Sequence, residues 1–169
     1  MTLCRVCFYR MPSSLWFTRR NSKVGYCQGL NGVVAYFLTK GFSEEASFCL
    51  TQECFWILTY LIEEIIPRDY YTNMLSLRAD IQILTRILYL KDPKLLQHFK
   101  SLQIDMSLIM VENFLTVFTN TCHPEISSVI IDHLLIDGPV VLIKAMMLIL
   151  RYLRKVLLEI DNFGSFRMI

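Results

Sequence analysis

No aspartate or glutamate precedes Glu44, although Arg5, Arg10, Arg19, Arg20, Lys23 and Lys40 all do. The formal charge of +2 over 169 residues therefore divides into +6 for the first 43 and −4 for the remaining 126. An acid-free leader with arginines and the pair Ser13 and Ser14 invites comparison with an organellar transit segment. Its apolar residues lack the amphipathic period that such a segment needs. A sustained basic stripe interleaved with aromatics is also missing, and the isoelectric point of 8.2 is low for a nucleic-acid binder. No nucleic-acid partner is expected.

Long apolar runs are missing too. The most apolar stretch, Pro139 to Leu150, is broken by Lys144 and runs into Arg151, Arg154 and Lys155, whereas a membrane-spanning helix needs about 20 uninterrupted apolar residues. The mean hydropathy of +0.42 then implies a large core or a surface that expects a partner. Of the cysteines only Cys4 and Cys7 are closely spaced; no second pair, and no histidine spacing among His98, His123 and His133, completes a structural zinc site. The reading is free thiols in a reducing compartment, with no metal and no cofactor. A secretory apolar region is absent, which places the protein in the cytoplasm. The Gly-Lys-Ser/Thr phosphate loop is absent as well.

Alternating apolar and polar residues, the mark of strands, are nowhere convincing, and no fixed-period repeat or low-complexity linker divides the chain. Helical periods are present almost throughout. Ile83, Leu84, Ile87 and Leu88 form one apolar face from Asp80, and Leu95, Leu96, Phe99 and Leu102 another from Pro93. Asp92 before Pro93 and Asp105 before Met106 read as helix caps. His123-Pro124-Glu125 opens a helix that Asp137-Gly138-Pro139 closes before the last one begins. Ser43-Glu44-Glu45-Ala46 starts a segment that Pro67 stops after Ile66, and Cys27 to Lys40 reads as a helix ended at Gly41. The expected fold class is all-α, a single irregular helical domain.

The most distinctive stretch is Gly25-Tyr26-Cys27-Gln28-Gly29-Leu30-Asn31, where two glycines bracket a polar amide at the start of an apolar helix. Glycines let a backbone approach another molecule closely, and a helix N-terminus offers N–H groups to an anion. Read from the residues alone, it is either a tight turn with an N-terminal glutamine or a place where a glutamine holds a water and a phosphate. Elsewhere, Glu44-Glu45 and Glu63-Glu64 read as solvated helix ends, because adjacent helical residues do not face one another. Lys144, Arg151 and Lys155 read as a solvated stripe, and Asp132 as a buried carboxylate paired with an arginine.

Lys23 to Asn31 resembles the Tyr-x-Gln motif of TBC domains, the Rab GTPase-activating family, and the likeness continues in register. Glu53-Cys54-Phe55-Trp56 resembles the family's acidic-aromatic helix, and Ile66-Pro67-Arg68-Asp69-Tyr70-Tyr71 its Pro-Arg-Asp-Tyr-Tyr turn. Phe114-Leu115-Thr116-Val117-Phe118 is similar to a further family helix, and Asp132-x-x-Leu135-x-Asp137-Gly138 to another. Residues 23–169 are expected to form the C-terminal part of a Rab-GAP TBC fold, nearest the Armus-like subgroup, and residues 1–22 a divergent N-terminal segment.

The resemblance implies a partner, a Rab-family small GTPase in its GTP state, and a glutamine finger, Gln28, that orients the attacking water, supported by Gly25, Tyr26, Gly29 and Asn31. It also implies an arginine finger from an upstream Ile-x-x-Asp-x-x-Arg motif, which these residues do not contain; the nearest pattern, Ile66-x-x-Asp69, ends in Thr72. The chain is therefore expected to start beyond that motif; Arg5, Arg10, Arg19 and Arg20 stand too close to Gln28 in sequence to be the matching residue, which leaves only substitution by one of them in space. Two family tryptophans are replaced by Asn113 and Ile131, losses that cost about 3 to 5 kcal/mol each unless neighbours repack. Two further readings stay open: an inactive Rab-binding module, and a helical scaffold in membrane trafficking. Any membrane attachment is expected to be peripheral, on endomembranes, through the partner.

Overall fold

The computed structural model describes residues 17–25, 27, 29–40 and 47–162, which are helical and, among those described, contain no strand. After a helical turn at residues 17–20 come α1 (Leu30–Lys40) and α2 (Ser47–Tyr60), which runs directly into a π-helical segment (Leu61–Ile65). There follow α3 (Leu75–Lys91), α4 (Pro93–Ser101), α5 (Met106–Leu115), α6 (Pro124–Asp137), α7 (Val140–Tyr152) and the short α8 (Arg154–Leu158). Helix α1 packs on α2, α3 on α4, α5 and α7, and α6 on α7 and the π segment, while α8 closes on α4 and α7. One continuous core, from Phe17 through Leu84 and Phe114 to Ile160, joins them.

Local chemistry explains the helix starts. The Asp92 carboxylate accepts the Leu95 N–H at 3.2 Å with Pro93 at the first helical position, and Asp105 accepts the Ser107 N–H at 3.0 Å. Pro124 opens α6 and Gly138 ends it, as the sequence predicts. Asp92 is also gripped by Arg154 from α8, through Nε to one oxygen and through a terminal nitrogen to the other at 3.2 Å.

Helix α3 departs from expectation. It begins at Leu75, where Asn73 Oδ1 accepts the Leu75 N–H at 3.0 Å and Asp69 accepts that of Ser76 at 2.9 Å. Its buried residues are Leu77, Leu84 and Leu88, with Ile81 half-buried between them, whereas Ile83 is 48% exposed. The spacing 77, 81, 84, 88 is one helical stripe, while 83 and 87 belong to the neighbouring row, where Ile87 is half-buried and Ile83 exposed.

The two tryptophan replacements are accommodated differently. Asn113 is half-buried; its amide donates to the Ile109 carbonyl at 2.5 Å and its oxygen accepts from Thr121 Oγ1 at 2.5 Å. Ile131 is buried in the core, and beside it opens a groove of about 570 Å³ lined by Tyr36, Phe37, Trp56, Tyr60 and Leu135.

Candidate functional site

The segment leading into α1 is a sequence of turns. Phe17 is fully buried and anchors it; the Asn21 N–H donates to the Phe17 carbonyl at 2.8 Å, and the Gly25 N–H to the Asn21 carbonyl at 2.9 Å. The Asn21 side chain repeats the pattern, its oxygen accepting the Val24 N–H at 3.2 Å, the local bonding that makes asparagine a turn residue. Gly25 has φ 63° and Gly29 φ 128°. No helix passes through a residue with φ of 128°, so α1 begins at Leu30 rather than at Cys27 as the sequence suggested. Tyr26 and Gln28 lie outside the described residues. Cys27 and Asn31 flank them and are half-buried, and burial pushes the Cys27 thiol above its ordinary pKa.

One wall behind this segment is the turn at residues 116–120. A Cβ on Gly29 would stand 2.9 Å from Thr116 Cγ2, and one on Gly32 would stand 2.0 Å from Asn120 Oδ1. Close backbone approach is what the glycines supply here. The turn itself is unusual. The sequence predicted helix through Phe118, but α5 ends at Leu115, and Val117 and Phe118 both have positive φ, 50° and 60°, while fully buried. For a β-branched and an aromatic residue this conformation costs of order 1 to 3 kcal/mol each. The Phe118 N–H donates to the Asn113 carbonyl at 2.8 Å, and Ser127 Oγ donates to the Phe118 carbonyl at 3.0 Å. The Tyr71 hydroxyl donates to the Leu115 carbonyl at 3.1 Å; burial, with Cys27 nearby, raises its pKa. Tyr70, its neighbour, is hydrogen-bonded to Asp80, whose carboxyl burial raises.

The other wall is the π segment. Glu63 Oε1 accepts from Asn21 Nδ2 at 3.1 Å and Oε2 from an Arg20 guanidinium nitrogen at 3.3 Å, and that guanidinium lies 5.3 Å from the centre of the Trp56 ring. The paired glutamates are thus unlike: Glu64 is exposed, whereas Glu63 is engaged, contrary to the solvated pair expected. Between the π segment, the turn at residues 20–24 and the turn after Pro67 lies a cleft of about 570 Å³, whose lining includes Arg20, Lys23, Glu63, Arg68 and Asp69. Sequence reading missed Glu63 because its partners are 42 and 43 residues away.

Other sequence candidates fall elsewhere. Asp132 is exposed at the rim of the apolar groove and, among the described residues, pairs with no arginine, so the buried ion pair is not formed. Lys144, Arg151 and Lys155 are exposed. Cys27, Cys54 and Cys122 are not in disulfides, and among the described residues no three potential ligands cluster to hold a metal. Arg5, Arg10, Cys4 and Cys7 lie outside the described residues, and no described helix is long and apolar enough to cross a membrane.

Comparison with known proteins places this architecture. The family model described as the Rab-GTPase-TBC domain matches residues 15–158. TBC1 domain family member 2B of mouse is 34% identical over 149 residues, covering 88% of this chain and 15% of its own length. The TBC domain-containing protein C4G8.04 of Schizosaccharomyces pombe is 33% identical over 147 residues, covering 86% and 18%. The crystal structure of the Chlamydomonas flagellar RabGAP TBC domain superposes with a TM-score of 0.75 at 25% identity, over 98% of this chain and 51% of that one. The chain thus spans less than a fifth of the length of these curated relatives and about half of the solved domain. With sequence, family model and fold in agreement, the chain belongs to the Rab-GTPase-TBC domain family.

Proposed function

We propose that this chain docks on a GTP-loaded Rab-type small GTPase and presents Gln28 to its active site, where the glutamine amide orients the water that attacks the γ-phosphate. The observation that carries this reading is the framing of the Gln28 position. Two glycines with positive φ flank it in sequence, the strained turn at residues 116–120 lies against Gly29, and the Glu63 carboxylate holds the turn at Asn21 that precedes it in the chain. In this chemistry the protein contributes positioning and charge stabilisation, so a fixed loop is the useful property. Endomembranes carrying the Rab are then where the chain acts, attached peripherally through its partner.

Binding without turnover is favoured by a separate observation. Arg20, the arginine nearest the loop in sequence, is engaged by Glu63 and Trp56. An arginine supplied in trans is worth about 10³ to 10⁵ in turnover for small GTPases. Single-turnover GTP hydrolysis across a panel of Rabs, with this chain and with Gln28→Ala, distinguishes the readings. Stimulation that disappears in Gln28→Ala supports the glutamine finger. Stimulation that ignores the substitution overturns it, and binding of a GTP-loaded Rab with no acceleration identifies a binding module.

A further inference from the structure

The segment before Gln28 is held from the side by one carboxylate. Asn21 is the node of the turn: its side-chain oxygen takes the Val24 N–H and its carbonyl the Gly25 N–H, while its amide nitrogen gives its bond to Glu63. The other Glu63 oxygen takes Arg20, which lies over Trp56 of α2, so the carboxylate and the ring grip two consecutive residues of the leader. Glu63 occupies the middle of the π segment, where the Ile66 N–H reaches back five residues to the Leu61 carbonyl at 2.8 Å. There Leu61, Ile62 and Ile66 are buried while Glu63 stays at the edge of the polar cleft.

We propose that Glu63 is a positioning residue for the turn that leads to the glutamine: from the π segment its carboxylate holds Asn21 and Arg20 and thereby fixes the turn bonds that Asn21 makes to Val24 and Gly25. The inference rests on the reading of Gln28 as the group that meets the Rab active site, but the placement can be measured without a Rab. If Glu63 is removed, Asn21 loses its anchor and the turn bonds it makes to Val24 and Gly25 open more often.

The test is residue-resolved amide hydrogen exchange on the full chain for the unmodified protein, Glu63→Ala and Glu63→Gln. Glu63→Ala is expected to speed exchange at Val24 and Gly25 by about tenfold, the size that loss of a hydrogen bond to a charged group produces. Met146 in the centre of α7 should be unaffected. Glu63→Gln, whose amide oxygen still accepts from Asn21, should recover most of the protection. Unchanged exchange at Val24 and Gly25, an equal acceleration at Met146, or no recovery by glutamine would each overturn the proposal. Single-turnover hydrolysis by a GTP-loaded Rab run beside it separates the two claims. A loop that responds to Glu63→Ala, with hydrolysis indifferent to Gln28→Ala, removes the catalytic role of Gln28 and leaves the placement by Glu63 standing.

Discussion

The Tyr71 hydroxyl donates to the Leu115 carbonyl across 3.1 Å, tying the turn after Pro67 to the last residue of α5. The bond is buried, and it sits where α5 gives way to the strained turn behind Gly29. Tyr71→Phe keeps the ring and leaves a carbonyl without its donor, which costs about 1 to 3 kcal/mol. Urea denaturation should show a lower midpoint with an unchanged slope, because the surface exposed on unfolding stays the same.

Gly29 and Gly32 should respond to alanine in different ways. At Gly29 a methyl group meets Thr116 Cγ2 at 2.9 Å and the residue keeps a φ of 128°, so strain alone costs about 1 to 3 kcal/mol. At Gly32 the obstacle is the end of the exposed Asn120 side chain, which can swing away, and alanine favours the helix by about 1 kcal/mol. Thermal unfolding should therefore place Gly29→Ala well below the parent protein and Gly32→Ala close to it. Equal losses at the two positions would contradict the packing described for the 116–120 turn.

The Asp92 carboxylate supplies a pH dependence. The Arg154 guanidinium hydrogen-bonded to it, helped by the Leu95 amide, holds its carboxyl below the usual carboxylate range. The folded state then binds the Asp92 proton more weakly than the unfolded chain does. Its contribution to stability is complete above the unfolded value of about 3.9 and is lost as pH falls through the folded value. Asp92→Asn should be less stable than the parent near neutrality, and the difference should shrink below about pH 4. Denaturant midpoints measured for both proteins from pH 7 to pH 3 check this; a difference that stays constant with pH would contradict it.

What the sequence made legible was local. Asp92 and Asp105 bond to amides two or three residues on, so their capping roles show in the chain itself, as does the apolar face of Leu95, Leu96 and Phe99. Choices made by distant packing were hidden. Ile83 and Leu84 are adjacent and equally apolar, and only contact of α3 with α5 and α7 decides which is buried. Val117 and Phe118 carry no local signal for left-handed backbone; their conformation is enforced by burial and by the bonds from Phe118 to Asn113 and from Ser127. Asp132 looked like half of an ion pair because its motif is familiar, yet position on a helix does not specify a partner. In the glutamine region Gly29 was readable as a point of close approach, whereas Gly25 is uncrowded and is required by its positive φ. Glu63 was not, since nothing in its neighbourhood foretells a bond to Asn21.

The π segment between Leu61 and Ile65 makes chain length a constraint separate from residue identity. A π turn accommodates one residue more than the α-helical path it replaces, so losing a single residue there would let the helix close into ordinary register. Side chains between the lost position and the end of the segment would be turned by up to about 100° around the axis. A deletion before Glu63 would turn its carboxylate away from Asn21 without altering any residue that touches the loop. Insertions and deletions in this helix therefore act on the glutamine region as a rotation acts on a key, and a glutamate matched at position 63 by composition alone would not preserve the contact.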